Sequence, residues 1–289
     1  MAKLFSKTGR RATHSIAGNI GVLLFLVLLG IFMVIPFVYA VAQSLKPPEE
    51  LFVFPPKFFV RNPTADNYIN LFMRTNNMWV PFERYIFNSI YMTLISTVAS
   101  VIFAAMAAFP LAKFRFPGSV IYSKIITVSL LFVYEVTYIP QYILLSKMGL
   151  IDNPLAIILP SIASTLGLFL MQQFMSQIPD ALIEAATVDG SSTWKTFWSI
   201  IMPNVKPAWI TAFILSFQAT WNRDTSSFIF TEQFKNLPAI FRQISVSNTI
   251  ATVGVASAAA VILMIPPILV FVLSQSNVLE TMAYSGIKG

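Results

Sequence analysis

The stretch Pro179-Asp180-Ala181-Leu182-Ile183-Glu184-Ala185-Ala186-Thr187-Val188-Asp189-Gly190 decides how the rest of this chain is to be read. Pro179 suits a first helical turn, Asp180 complements a helix N-terminus, and Gly190 suits the left-handed position that stops a helix. The helix so defined has about ten residues, whereas crossing a bilayer takes about 20. Ser191-Ser192 is a good cap pair, and a second short helix is predicted over Thr193–Met202, ended by Pro203, with Pro207 opening the next segment. Residues 179–203 therefore form a helix–turn–helix bracket that projects from whatever flanks it. Ala185 and Ala186 let another surface approach closely, and Glu184 can cap backbone or pair with a cation. On these features alone, an ordinary amphipathic loop and a mechanical contact both remain open.

The flanks are apolar. The 289 residues are 56% hydrophobic and 11% charged, against roughly 45–50% and about 25% in soluble domains. A mean hydropathy of +0.72 over this length calls for lipid as the solvent. Uncharged runs predict spans at Ile20–Ala42, Tyr85–Ala112, Ser119–Leu145 (interrupted by Lys124 and Glu135), Leu155–Met175, Pro207–Asn222 and Thr252–Leu273. Pro266-Pro267 is expected to kink or partly unwind the sixth. The first run has a basic flank and an Ala40-Val41-Ala42 sequence like a signal peptide, but its length makes it an uncleaved anchor. The expected architecture is an all-α integral membrane protein with six transmembrane helices. A tail over 1–19 precedes a single transmembrane domain over 20–289. Within that domain, 43–84 is an ordered, proline-rich extracytoplasmic loop with a small helix beginning at Asp66-Asn67-Tyr68 and capped by Asp66.

Charge fixes topology more than partner. The net charge is +7, and the basic residues are scattered, with Lys3, Lys7, Arg10 and Arg11 ahead of the first span. Nucleic acid is not an expected partner; membrane lipid is. Even spans and a basic tail place both termini in the cytoplasm, although the loops placed outside also carry many basic residues. With no Cys and a single His, His14 in the tail, the chain has no ligand set for haem, iron–sulfur or Cys/His zinc chemistry, and no metal site is expected.

Within the spans Glu135 is the sharpest residue, because a charge at bilayer depth costs about 2.5–3.5 kcal/mol and usually faces a cavity or a partner. It can line a pathway, pair with Lys124 or Arg223, or sit nearer the outer interface. Gln141, Gln172, Gln218 and Asn222 can contact a solute or act as amide glue between helices. Tyr134, Tyr138 and Trp221 can stack on sugar rings or belong to an interfacial aromatic belt.

Glu184-Ala185-Ala186, then three residues, Gly190, nine residues and Ile200-Ile201-Met202-Pro203 resembles the E-A-A-x3-G-x9-I-x-L-P signature of binding-protein-dependent ABC importer permeases, with Met202 in place of Leu. The likeness continues through Asn88-Ser89, Lys113-Phe114-Arg115-Phe116-Pro117-Gly118, Ile139-Pro140, Ser146-Lys147-Met148-Gly149-Leu150, Ile158-Leu159-Pro160, Trp221-Asn222 and the closing Gly286-Ile287-Lys288-Gly289. It is similar to the carbohydrate-uptake branch, in particular the shorter six-span permease of the maltose system. Arg223, where an acidic residue is common, and Glu135 depart from that pattern and leave the cargo open.

The resemblance implies a type I ABC importer transmembrane domain in the bacterial cytoplasmic (inner) membrane, without enzymatic activity of its own. Its coupling residues would be Glu184, Ala185, Ala186, Asp189, Gly190 and Pro203, docked in a cleft of a separate ATPase subunit. Neither Lys7-Thr8 nor Lys195-Thr196 follows a glycine as a phosphate loop requires. ATP and magnesium would thus be bound by the ATPase, with no cofactor in this chain. A second related permease, giving a heterodimer, and an extracytoplasmic solute-binding protein complete the expected partners. Glu135, Tyr138, Gln141, Gln218, Trp221 and Asn222 are the candidate pathway residues for a sugar or oligosaccharide. A membrane-embedded enzyme and a channel or scaffold are the alternatives.

Overall fold

The computed structural model describes residues 16–76, 80–246 and 250–286. Residues 1–15 of the N-terminal tail, with His14, and residues 287–289 of the closing tetrapeptide lie outside the described residues, while 16–19 belong to the first helix. The elements in order are α1 (Ile16–Ser44), α2 (Pro48–Leu51), α3 (Asp66–Asn76), α4 (Phe82–Lys113), α5 (Ser119–Ser129), α6 (Tyr134–Lys147), α7 (Leu155–Ile162), α8 (Thr165–Ser176), α9 (Asp180–Val188), α10 (Thr193–Thr196), α11 (Met202–Asn204), α12 (Lys206–Trp221), α13 (Leu237–Val246) and α14 (Ile250–Gly286). There is no strand among the described residues.

α1, α4, the pair α7/α8 and α14 are each long and apolar enough to cross a membrane. Six spans result in chain order when the bent pair α5/α6 and the bracket's second helix with α12 each count as one. The third is not the continuous helix expected, because α5 and α6 meet at 109°. The bracket's second helix likewise meets α12 at 81°. The fourth span is interrupted at Ala163 (φ −81°, ψ 73°), and Ser164 recaps α8 by accepting the Gly167 N–H at 3.0 Å.

Pro266-Pro267 does not unwind the sixth span; α14 runs helically through both prolines. A proline at position i leaves the carbonyl at i−4 without its helical donor, and for Pro267 that carbonyl is Leu263. Trp221 fills the gap, its Nε1–H donating to Leu263 O at 2.9 Å. An outside donor thus satisfies the backbone inside the membrane.

Packing divides into three clusters. One joins α4, α8 and α12 to the bracket through Phe109, Met171, Met175, Phe197 and Ile201. A second joins the other ends of α4, α12 and α14 to α3 and α13 through Phe82, Tyr85, Phe217 and Trp221. The third, around Met92, Ile157 and Phe228, is flanked by Tyr138 and Tyr142. α1 packs on the rim, its apolar side chains such as Phe25 and Phe32 exposed at 64% and 70%. That is a surface for lipid rather than water.

The face opposite the bracket is capped by the loop around α2 and α3. Asp66 sits in the first turn of α3 rather than capping it; Ala65 O accepts the first helical bonds, and Asp66 contributes through its charge at the positive helix end. Glu50 accepts from the Arg61 and Asn62 N–H groups at 3.0 and 2.8 Å. Buried Lys46 donates to Lys57 O, and Asn67 Nδ2 donates to Ser44 O and Lys46 O at 2.9 and 2.6 Å. Asn67 lies so near Gly254 of α14 that a Cβ there would meet its Oδ1 at 2.4 Å. Only glycine allows this approach.

Candidate functional site

The bracket forms as two short helices, with their boundaries shifted by a residue or two. Pro179 is the extended residue before α9, so Asp180 opens the helix. Gly190 takes φ +75°. Its N–H donates to Thr187 O at 3.0 Å and the Ser191 N–H to Ala186 O at 2.9 Å, the paired bonds of a Schellman stop. Ser192 caps α10, its Oγ accepting the Lys195 N–H at 3.3 Å.

Pro203 does not end the second helix. The chain widens into a π-turn over Phe197–Ile201, the Met202 N–H reaching back to Phe197 O, and Pro203 lies inside α11. A proline ring clashes with the carbonyl four residues back; the wider turn relieves that clash. The break comes at Val205 (φ −99°, ψ 22°).

The signature residues divide by direction. Ala186 is buried against the body of the chain, while Glu184, Ala185, Asp189, Gly190 and Pro203 are exposed. Val188, 87% exposed, and Trp194, 58% exposed, add apolar surface to the outward side. The bracket is held by Lys113, the last residue of α4. Its side chain is 4% exposed, and Nζ donates to Ile178 O and to Asp180 Oδ1 at 2.7 Å. That hydrogen bond, with the Lys113 charge and more weakly Arg115, holds the Asp180 carboxyl below its usual range.

The six candidate pathway residues do not form one patch. Trp221 is 2% exposed, stacked on Phe217 with centroids 5.8 Å apart and bonded to Leu263, so it is interhelical glue rather than a free platform. Gln218 and Asn222 line a cavity of about 380 Å³ with Phe37, Leu263, Met264 and Pro267. Tyr138 packs edge-on to Phe228 at 5.3 Å. The Gln141 amide nitrogen is buried without an acceptor among the described residues. Glu135 is exposed in the first turn of α6, where the positive helix end favours it. Among the described residues it forms no ion pair with Lys124 or Arg223. Gln172 is glue, its Nε2 donating to Ser123 Oγ at 2.8 Å between α8 and α5.

The family model described as "Binding-protein-dependent transport system inner membrane component" matches residues 83–283. The chain belongs to this family. The permease is 29% identical over 202 residues to the sn-glycerol-3-phosphate transport system permease protein UgpE of Yersinia enterocolitica, covering 69% of this chain and 72% of UgpE. It is 27% identical over 287 residues to Protein LplC of Bacillus subtilis, covering 92% and 93% of the two chains. With the arabinooligosaccharides transport system permease protein AraQ of Halalkalibacterium halodurans it shares 24% over 268 residues, 89% and 91% of the chains. Its fold matches a chain of a bacterial ABC transporter involved in the import of the acidic polysaccharide alginate. That match has a TM-score of 0.77 at 23% identity, covering 91% of this permease and 98% of that chain. The fold is that of the type I ABC importer transmembrane domain, and the permease is a membrane-embedded transport subunit rather than an enzyme.

Two anchoring sites of the permease escaped the sequence reading. Asn88 Nδ2 donates to Gln233 O and Lys235 O at 2.8 and 2.9 Å, and Ser89 Oγ accepts the Leu237 N–H at 2.7 Å. Asp152, in the left-handed region at φ 62°, accepts the Phe230 and Thr231 N–H groups at 2.8 and 2.7 Å. Together they fix the segment after α12. Asn88-Ser89 was visible only as a motif; its partners lie 145 to 148 residues away.

Lys113→Met keeps the buried stem and removes both bonds to the bracket. Initial uptake rates are expected to fall several-fold at unchanged membrane level, and wild-type rates would remove Lys113 as the anchor. A depressed carboxyl pKa contributes above its unfolded value, near 3.9, and is lost only as pH falls through the lowered value. Protease protection of the wild-type bracket should therefore be flat from about pH 5 to 8.

Proposed function

We propose that the permease forms half of an import pathway driven by ABC ATPase subunits, through which a sugar or oligosaccharide passes into the cytoplasm. An extracytoplasmic binding protein delivers the solute, a second related permease completes the pathway, and the ATPase binds ATP and magnesium. The names of AraQ and of the alginate importer support a saccharide cargo. The basic N-terminal flank supports cytoplasmic termini in a bacterial inner membrane, which puts the bracket in the cytoplasm too.

One observation carries the coupling assignment. The bracket presents Glu184, Ala185, Asp189 and Val188 outward, yet is held by a glycine stop and a nearly buried lysine. An exposed surface on a stiff mount transmits a push; a floppy loop absorbs it. ATP-driven closure of two ATPases would bring two such brackets together and turn the pathway outward, and ATPase opening would reverse it.

The chain has no Cys, so Val188→Cys is its single thiol. A thiol-to-amine crosslinker on purified complexes should join this position to the ATPase subunit, at a yield that changes with ATP. A membrane-impermeant maleimide should not reach it in intact cells. Labelling from outside would reverse the orientation, and no crosslink to the ATPase in any nucleotide state would remove the coupling role.

A further inference from the structure

Two spans break inside the membrane, and both breaks meet one cation. α5 leaves the bracket face for 11 residues, about 16 Å at 1.5 Å per residue, before the bend at 130–133. α7 enters from the opposite face for 8 residues, about 12 Å, before it stops at Ala163. Against a hydrocarbon core about 30 Å thick, both breaks fall near the middle. Arg223 follows the last turn of α12. Its Nη1 donates to Ser161 Oγ at 3.3 Å, at the end of α7. Its guanidinium carbon lies 5.0 Å from the ring centroid of Tyr134, the first residue of α6.

Arg223 is partly exposed, and among the described residues no carboxylate forms an ion pair with it. Asp224, its neighbour, pairs instead with Arg242 at 2.8 Å. By the same rise α12 carries Arg223 about 24 Å from the bracket side, into the outer half of the core. A cation there needs a partner or a wet cavity, and broken helices are tolerated in the core only where they are buried in protein or line such a cavity. One neutral hydroxyl and one aromatic face do not replace a counter-charge. The guanidinium has five N–H donors in a planar fork suited to two oxygens of one anion, and a single side-chain acceptor is engaged here.

We propose that Arg223, framed by Tyr134 and Ser161 where the two helix breaks meet, is a cargo-contacting subsite that takes an anionic group, carboxylate or phosphate, on the imported solute. This rests on the import reading above and adds the substrate class. Glu135, at the same break, does not pair with Arg223 and so leaves the fork open to the solute.

The test uses the whole transporter carrying Ser161→Cys, the single thiol of this chain, beside the guanidinium. Modification of this subunit by anionic MTSES and cationic MTSET is timed with and without ATP. The anionic reagent is expected to be favoured. Arg223→Gln should lower the anionic-to-cationic rate ratio about tenfold, the scale of a unit charge a few ångströms away, and Arg223→Lys should keep the preference. An unchanged ratio in Arg223→Gln overturns the proposal. So does failure of both reagents in every nucleotide state while Val188→Cys reacts, which would make Arg223 structural.

If Arg223→Gln does not assemble, protection in the Arg223 background decides. Trigalacturonate slowing the reaction identifies a carboxylate cargo, and glycerol phosphate slowing it identifies a phosphate cargo. Slowing by neither, or equally by neutral maltotriose, overturns the proposal. Loss of ATP dependence at Ser161→Cys counts against the import reading itself, whereas loss of the charge preference alone counts only against this subsite.

Discussion

Replacing Gly190 with valine is expected to reduce ATP-driven uptake more than tenfold while leaving the permease in the membrane at its normal level. Gly190 is held at φ +75°, and an added Cβ would meet nothing within 4 Å, so the effect is backbone strain rather than a clash. A left-handed L-residue costs about 1–2 kcal/mol, and a β-branched one fits worst. The chain can escape that strain only by giving up the Gly190 and Ser191 bonds to Thr187 and Ala186. The angle between α9 and α10, which aims Glu184 and Asp189 outward, would then change. Asparagine tolerates the left-handed region, so Gly190→Asn should retain most of the uptake. Substrate-stimulated ATPase activity, read beside uptake, separates lost coupling from lost assembly. Normal transport in Gly190→Val would sink the claim that this turn aims the coupling surface.

Trp221→Ala should be the most destabilising of the simple substitutions. It empties a side chain that is 2% exposed at the junction of α4, α12 and α14, and large-to-small changes of this kind cost about 3–5 kcal/mol. Thermal unfolding of the detergent-solubilised complex should move down clearly. Trp221→Phe isolates the polar part, because a ring remains but Leu263 O loses its donor. Such interhelical bonds are worth about 0.6–2 kcal/mol. Pro267→Ala supplies the missing helical N–H to that carbonyl. The loss on Trp221→Phe should therefore be smaller in the Pro267→Ala background. Equal losses in the two backgrounds would show that the indole N–H is not compensating the proline.

The spans and the bracket were legible in the sequence because their signals are local. An uncharged run long enough for a bilayer needs no tertiary partner to be recognised, nor does a proline, an acidic first turn and a glycine stop at α9. Errors came where a local rule met a distant group. Pro266-Pro267 reads as a break until Trp221, 42 residues earlier than Leu263, is seen to donate to the orphaned carbonyl. Pro203 reads as a stop until the π-turn makes room for its ring. Trp221 reads equally as a sugar platform or an interfacial aromatic until packing against Phe217 buries it.

By itself, then, the sequence determined a polytopic membrane protein and a short helix–turn–helix bracket over 179–203, since insertion into lipid is decided by the hydrophobicity of contiguous stretches. The tertiary structure alone decided which polar residues are scaffold and which stay open. Asn88, Ser89, Asp152 and Trp221 are consumed by backbone partners far away in the chain. Arg223 is left facing the two helix breaks without a paired carboxylate among the described residues. The reason is that a hydrogen-bonding group inside a membrane protein must be satisfied somewhere, and only the packed helices show where.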